Sequence, residues 1–214
     1  MARARFAVRD AVAADCEQVH ALIMELAEFE GEAGQVQLSA QRLERDLAEG
    51  RFSCIVAEEE LEAEVEAEAQ TATPPAAPGL RELPPRRRGR VAGFALVFGT
   101  YSTWQGHGLW LEDLYVRPWA RGAGLGSRLV REVCALALRR GCARLQWQAL
   151  DWNKPALDFY FGVVGAAERV ESGGAKWVNV IMRQAQMEAF LAACPEPRPL
   201  AAGDAAPAQD SADL

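Results

Sequence analysis

Two carboxylates stand side by side in a stretch that should hold none. Leu109 to Val116 reads as a strand of Leu, Trp, Tyr and Val, interrupted only by Glu112 and Asp113. Directly after it, Arg121-Gly122-Ala123-Gly124-Leu125-Gly126-Ser127 places a glycine at every second position. A Gly-rich turn between strand and helix aims backbone N–H groups at one spot, where they can hold a pyrophosphate. The plain alternative is a tight connection with no ligand.

The flanking elements position this loop. Leu125, Leu129, Val133, Leu136 and Ala137 recur at helical spacing, with Arg128, Arg131, Glu132 and Arg139 on much of the remainder, so an amphipathic helix is predicted from Ser127 to Arg140. The loop therefore lies at a helix N-terminus. Its spacing is not the G-x-G-x-x-G of a dinucleotide fold, and a P-loop needs Lys then Ser or Thr after the last Gly, where Ser127 and Arg128 stand.

Arg121, Gly124 and Gly126 occupy the places of an Arg/Gln-x-x-Gly-x-Gly/Ala loop that binds coenzyme A, and Asn153-Lys154-Pro155-Ala156 opens a short helix whose Tyr160, seven residues on, shares a face with Asn153. In these residues the chain resembles the Gcn5-related N-acetyltransferase (GNAT) family. Leu26 to Glu30, Thr100 to Trp104, Leu111-Glu112-Asp113 and Leu150 to Asn153 are similar to its diamine acetyltransferase branch, above all to members that acetylate thialysine. The resemblance covers residues 3–57 and 91 to about 182.

That resemblance implies an α/β fold, a mixed sheet flanked by helices, with acetyl-CoA as co-substrate and no metal. It implies direct transfer of acetyl to a primary amine of thialysine or a related amino acid or diamine, and a homodimer. Coenzyme A contacts are implied for Leu114, Tyr115, Val116, the loop from Arg121 to Ser127, Asn153, Lys154, Pro155, Ala156 and Tyr160. Two other readings stay open: a polyamine acetyltransferase for putrescine, spermidine or spermine, and a non-catalytic protein that binds coenzyme A and recruits partners.

The chemistry sets demands on the site. An alkyl amine with a pKa near 10.4 is neutral in roughly one molecule per thousand at pH 7, a handicap of about 4 to 5 kcal/mol. Glu112 is the candidate proton acceptor, its place in an apolar strand tending to raise its pKa; a solvated strand edge is the plain alternative. Glu30, Asp113 and either Glu28 or Asp151 would hold the charged remainder of the substrate. Phe29, Trp104 and Trp177 would line a cation-accepting pocket, although each could simply pack. The resemblance places Tyr160 beside the departing sulfur, and the amides of Leu114 and Val116 along the acetyl carbonyl and pantetheine. Two departures stand out: Ala175-Lys176-Trp177 replaces an acid-Gly-Trp sequence, and the step from Tyr160 to Gly165 is one residue longer than usual.

Composition bounds the rest. At 214 residues the chain can bury one domain, predicted over residues 3–57 and 91–190. Net charge is −7, of which residues 58–90 carry −3 (eight Glu, five Arg) and residues 195–214 another −3 (four acids, one Arg), leaving about −1 for the core and no case for a nucleic-acid partner. Residues 58–90 read as a low-complexity insertion whose Arg86-Arg87-Arg88 could meet an anion, and residues 195–214 as a disordered tail. Five scattered cysteines without a C-x-x-C pair, together with His20 and His107, give neither a disulfide framework nor a metal cluster. No run approaches membrane length, so a cytoplasmic location is expected.

Overall fold

Runs of Val, Ile, Ala and Phe form strands that assemble in the order in which they occur. A computed structural model of the chain describes residues 5–60, 89–168 and 182–193, and the chain divides into two compact units, Met1–Ala167 and Glu168–Leu214. In the first, β1 (Phe6–Asp10), β2 (Ser53–Glu59), β3 (Val91–Ser102), β4 (Gly106–Val116) and β5 (Leu145–Gln146) make one five-stranded sheet. Pairing is antiparallel from β1 to β4 and parallel between β4 and β5.

Helices cover both faces. α1 (Cys16–Glu30) and α2 (Ala40–Ala48) pack Val19, Leu22 and Leu43 onto Val56, Phe94 and Tyr115. α3 (Leu125–Arg139) packs Leu125, Leu129 and Val133 onto Ile55, Val97, Leu109 and Leu111. Ser39 caps α2 by accepting from the Arg42 N–H at 3.2 Å, as its place before the helix predicts. Phe94 is fully buried, so its truncation to Ala would cost about 3–5 kcal/mol.

Two differences from the sequence expectation matter. By sequence Arg144 to Leu150 reads as one strand, but the strand formed is only Leu145–Gln146, pairing Leu109 with Leu145 and Trp110 with Gln146. Beyond Trp110, β4 therefore has a neighbour on one side only among the described residues, and the described sheet opens there. The expected helix over residues 153–161 is split into α4 (Lys154–Asp158) and a π-helical turn, Phe159–Val164.

In the second unit, α5 (Gln184–Ala193) bears Met187 and Phe190, both exposed. Lys176 to Arg183, which by sequence read as a last strand, lie almost wholly outside the described residues, as do Trp177, Arg86 to Arg88 and the tail. Among the described residues no helix is long and apolar enough to cross a membrane, and no group of three or more His, Cys, Asp or Glu is placed to hold a metal ion.

Candidate active site

The two adjacent carboxylates exist because β4 carries a bulge. Its pairing with β3 runs Leu96 to Asp113 and then skips to Val97 with Leu111, leaving Glu112 as the extra residue. A bulge re-aims side chains and lets consecutive residues leave the apolar alternation. Glu112 is exposed, and the Trp110 indole Nε1–H donates to its Oε2 at 2.8 Å. Asp113 turns toward the α1 side with Tyr115, two residues on. By area Asp113 is only half-buried, yet its carboxyl end is enclosed. Burial first, then the charges of Glu112 and Glu30, push its pKa from 3.8 up to about 7. The burial expected at Glu112 is thus found one residue later.

The same strand offers main-chain donors. The Arg117 N–H donates to Ala92 O on β3 at 2.8 Å, so strand alternation turns the N–H groups of Val116 and Leu114 away from β3, toward the edge that β5 leaves open. Gly93 is required opposite them, because a Cβ there would stand 2.7 Å from Tyr115 O. Arg117 and the Tyr115 hydroxyl both donate to Glu25 on α1, Arg117 with contacts down to 2.7 Å, which fixes the end of β4 against α1.

At the loop, Gly124 has φ 76° and caps α3. Among the described residues, none accepts a hydrogen bond from the N–H of any residue from Gly122 to Ser127; the first internal bond is Arg128 N–H to Gly124 O at 3.1 Å. Six consecutive donors at a helix N-terminus form a fitting seat for the diphosphate of coenzyme A. Arg121 donates from Nε to Val116 O at 2.9 Å, closing the loop onto the strand.

Tyr160 is brought in by α4. Asn153 caps that helix by accepting from the Ala156 N–H at 3.3 Å. Phe159 lies 3.4 Å from where a Cβ on Gly126 would be, so the π-helical turn rests on the start of α3. The extra residue after Tyr160 is absorbed by that wider winding, which ends at Gly165 with φ 75°. The Tyr160 ring packs on Trp147 at 5.2 Å, and its phenol is held above the usual range by burial, then by Asp113 and Glu30.

Of the expected substrate residues, Phe29, Glu30, Glu112 and Asp113 gather on this side of the open edge. Glu30 is largely exposed, yet burial of its carboxyl and then Glu32 raise its pKa, and it shifts both Asp113 and Tyr160. Trp104 does not join them: it is 81% exposed at the β3–β4 turn, roughly 20 Å along the strand from Glu112. Sequence reasoning passed over three residues here. Trp110 anchors Glu112, Trp147 backs Tyr160, and Trp152 meets Phe29 with ring centroids 5.5 Å apart. Trp110 left a signal, lying two residues before Glu112 on one strand face, and Trp152 lies within the stretch from Leu150 to Asn153 that carries the resemblance. Two surface hollows of about 150 and 350 Å³ lie elsewhere, one along Val8–Asp10 and α3, the other between residues 13–17 and 40–44, and neither contains a candidate residue.

The acetyltransferase (GNAT) family description matches residues 38–163. The thialysine N-epsilon-acetyltransferase of Bos taurus is 37% identical over 169 residues, covering 78% of this chain and 87% of that protein. Its namesake from Caenorhabditis elegans is 33% identical, covering 67% and 72%. In fold, the chain is similar to an aminoglycoside acetyltransferase from an uncultured soil metagenomic sample in complex with sisomicin. That likeness has a TM-score of 0.56 at 15% identity and covers 83% of this chain and 97% of that one.

Proposed function

Because the chain belongs to the acetyltransferase (GNAT) family, whose members use acetyl-CoA, we propose that it acetylates a primary amine of a small alkyl amine, thialysine or a related amino acid or diamine, by direct transfer. One observation carries this reading: six consecutive amides, Gly122 to Ser127, that find no acceptor among the described residues directly follow the strand that bears Asp113, an acid with a pKa of about 7.

Bound acetyl-CoA supplies a thioester carbonyl for the amine to attack. The N–H groups of Leu114 and Val116 polarise that carbonyl, and those of Gly122 to Ser127 hold the diphosphate. Asp113, rather than Glu112, takes the amine's proton. Moving a proton from an amine of pKa near 10.4 to an acid near 7 costs about 5 kcal/mol, against about 9 kcal/mol for an aspartate at its ordinary value. Glu112, exposed and steadied by Trp110, attracts the incoming cation together with Glu30. Carboxylates that attract the cation also oppose its deprotonation, so attraction and proton acceptance fall to different residues.

Tyr160 acts at the leaving sulfur. A thiol near pKa 8.5 is a stronger acid than a phenol, and Tyr160 lies above even the ordinary phenol value. The Tyr160 hydroxyl therefore donates as the carbon–sulfur bond breaks, or remains a hydrogen-bond donor. A homodimer belongs to the same reading, supported by Tyr101 and Trp104, 78% and 81% exposed at the β3–β4 turn, which a second copy would cover.

The test is release of free thiol from acetyl-CoA with a panel of thialysine, putrescine, spermidine and spermine. Turnover with at least one amine is expected. Calorimetric binding of coenzyme A without thiol release at saturating amine would instead favour the non-catalytic reading.

A further inference from the structure

At the end of the sheet away from the bulge, a thiol and an imidazole meet across two segments. The Cys142 Sγ, just past α3, lies 3.4 Å from the Nδ1 of His107 at the start of β4. The backbone holds both partners in place. Gly141, with φ 65°, turns the chain after α3, and the Cys142 N–H donates to Ala137 O at 3.0 Å. The Ala143 N–H then donates to His107 O at 2.8 Å and the Leu109 N–H to Arg144 O at 3.0 Å, which ties this loop to β4. The His107 ring has room because position 99 is glycine, where a Cβ would stand 3.3 Å from Nε2. Cys142 packs partly against the core while His107 is exposed, so the pair sits at the surface on a fixed base.

With its proton on Nε2, the imidazole offers Nδ1 to the thiol proton, the arrangement of a nucleophile beside its base. A thiolate so formed attacks sulfur in a disulfide. The charges that flank it are cations. Arg139 and Arg140 precede Gly141, and Arg144 follows two residues after Cys142. Arg140 donates to Ser53 Oγ at 2.8 Å, and Arg144 donates to the Gln105 and Gln146 side-chain oxygens at 2.9 and 2.6 Å. These acceptors are neutral and cancel neither charge, so an anionic reagent is attracted to this thiol.

We propose that Cys142 is a modification site, where the thiol, with His107 as its base, exchanges with a small anionic disulfide. The Cys142 proton passes to His107 Nδ1 and the Sγ attacks one sulfur of the disulfide. The old S–S bond breaks as the new one forms, and the departing thiolate takes the proton back from His107. One thiol is oxidised and one disulfide reduced, with no further oxidant. His107 lies five residues before Glu112, roughly 17 Å along β4. The site is therefore separate from acetyl transfer and stands or falls without that reading.

Cys134 on α3 is the internal control, because it is more exposed than Cys142 and exposure alone would make it react first. The test treats the full chain, in its native oligomeric state, with glutathione disulfide or with the cationic disulfide cystamine, and follows each cysteine by mass spectrometry of its peptide. Cys142 should form the mixed disulfide faster than Cys134, while buried Cys16 and Cys54 stay reduced. At low salt the rate ratio of glutathione disulfide to cystamine should be a few-fold higher at Cys142 in the folded chain than in the denatured chain. His107→Gln should slow Cys142 by about 10-fold or more and leave Cys134 unchanged. Three results would each overturn the proposal: Cys134 reacting first in the wild type, an unchanged Cys142 rate in His107→Gln, or a disulfide preference equal to that of the denatured chain.

Discussion

The cofactor loop and the acidic cleft share one strand edge but are built in opposite ways. The loop is seven consecutive residues, Arg121 to Ser127, whose proposed role lies in main-chain N–H groups and whose demanding positions are Gly122 and Gly124, both in the left-handed region. The cleft draws Phe29 and Glu30 from α1, Glu112 and Asp113 from the β4 bulge, and Trp147, Trp152 and Tyr160 from beyond β5. One region is backbone held locally; the other is side chains held by tertiary structure. They should therefore fail differently when altered.

The largest effect is expected in the cleft. Asp113→Asn should lower kcat by about 10²- to 10⁴-fold, the usual weight of a general base, while calorimetry finds coenzyme A binding unchanged. In the loop the pattern reverses. Gly124→Val forces a β-branched residue into φ 76° and should weaken coenzyme A binding by about 100-fold or more, with the fold retained by circular dichroism. Tyr160→Phe should cost roughly 10- to 100-fold in kcat, less than Asp113→Asn, because the phenol assists a thiolate that can already leave. Glu112→Gln should raise KM for a cationic amine only a few-fold, and the rise should shrink with added salt. A kcat loss in Glu112→Gln matching that of Asp113→Asn would merge the two roles separated here.

Stability offers a smaller but independent contrast. The folded-state pKa of Asp113 is raised from 3.8 to about 7, so folding favours its protonated form. The stability that protonation contributes is full below about pH 4 and lost as pH rises through 7. Asp113→Asn should therefore melt higher than the wild type at pH 8, by a few degrees, and by little at pH 4. Equal melting temperatures at both values would show that the Asp113 carboxyl is well solvated.

This contrast also explains what could be read from the chain alone. The loop was legible because glycine spacing, the preceding strand and the following helix period are all local. Glu112 and Asp113 stood out as charges in an apolar strand, but alternation could not say which one is enclosed. That depends on the bulge opposite Leu96 and Val97, and so on pairing between strands. The contacts of Trp147 and Trp152 were unreadable for the same reason, since their partners Tyr160 and Phe29 meet them only after folding. The longer step after Tyr160 was visible as a count, whereas its resolution as a π-helical turn follows from packing Phe159 against Gly126.

The most direct test is the pH dependence of kcat/KM for one amine in the wild type, Asp113→Asn and Glu112→Gln. With Asp113 as the proton acceptor, the wild type and Glu112→Gln should both lose activity below a pKa near 7, and Asp113→Asn should show no such limb. A limb that survives in Asp113→Asn, or that disappears in Glu112→Gln, would contradict the assignment.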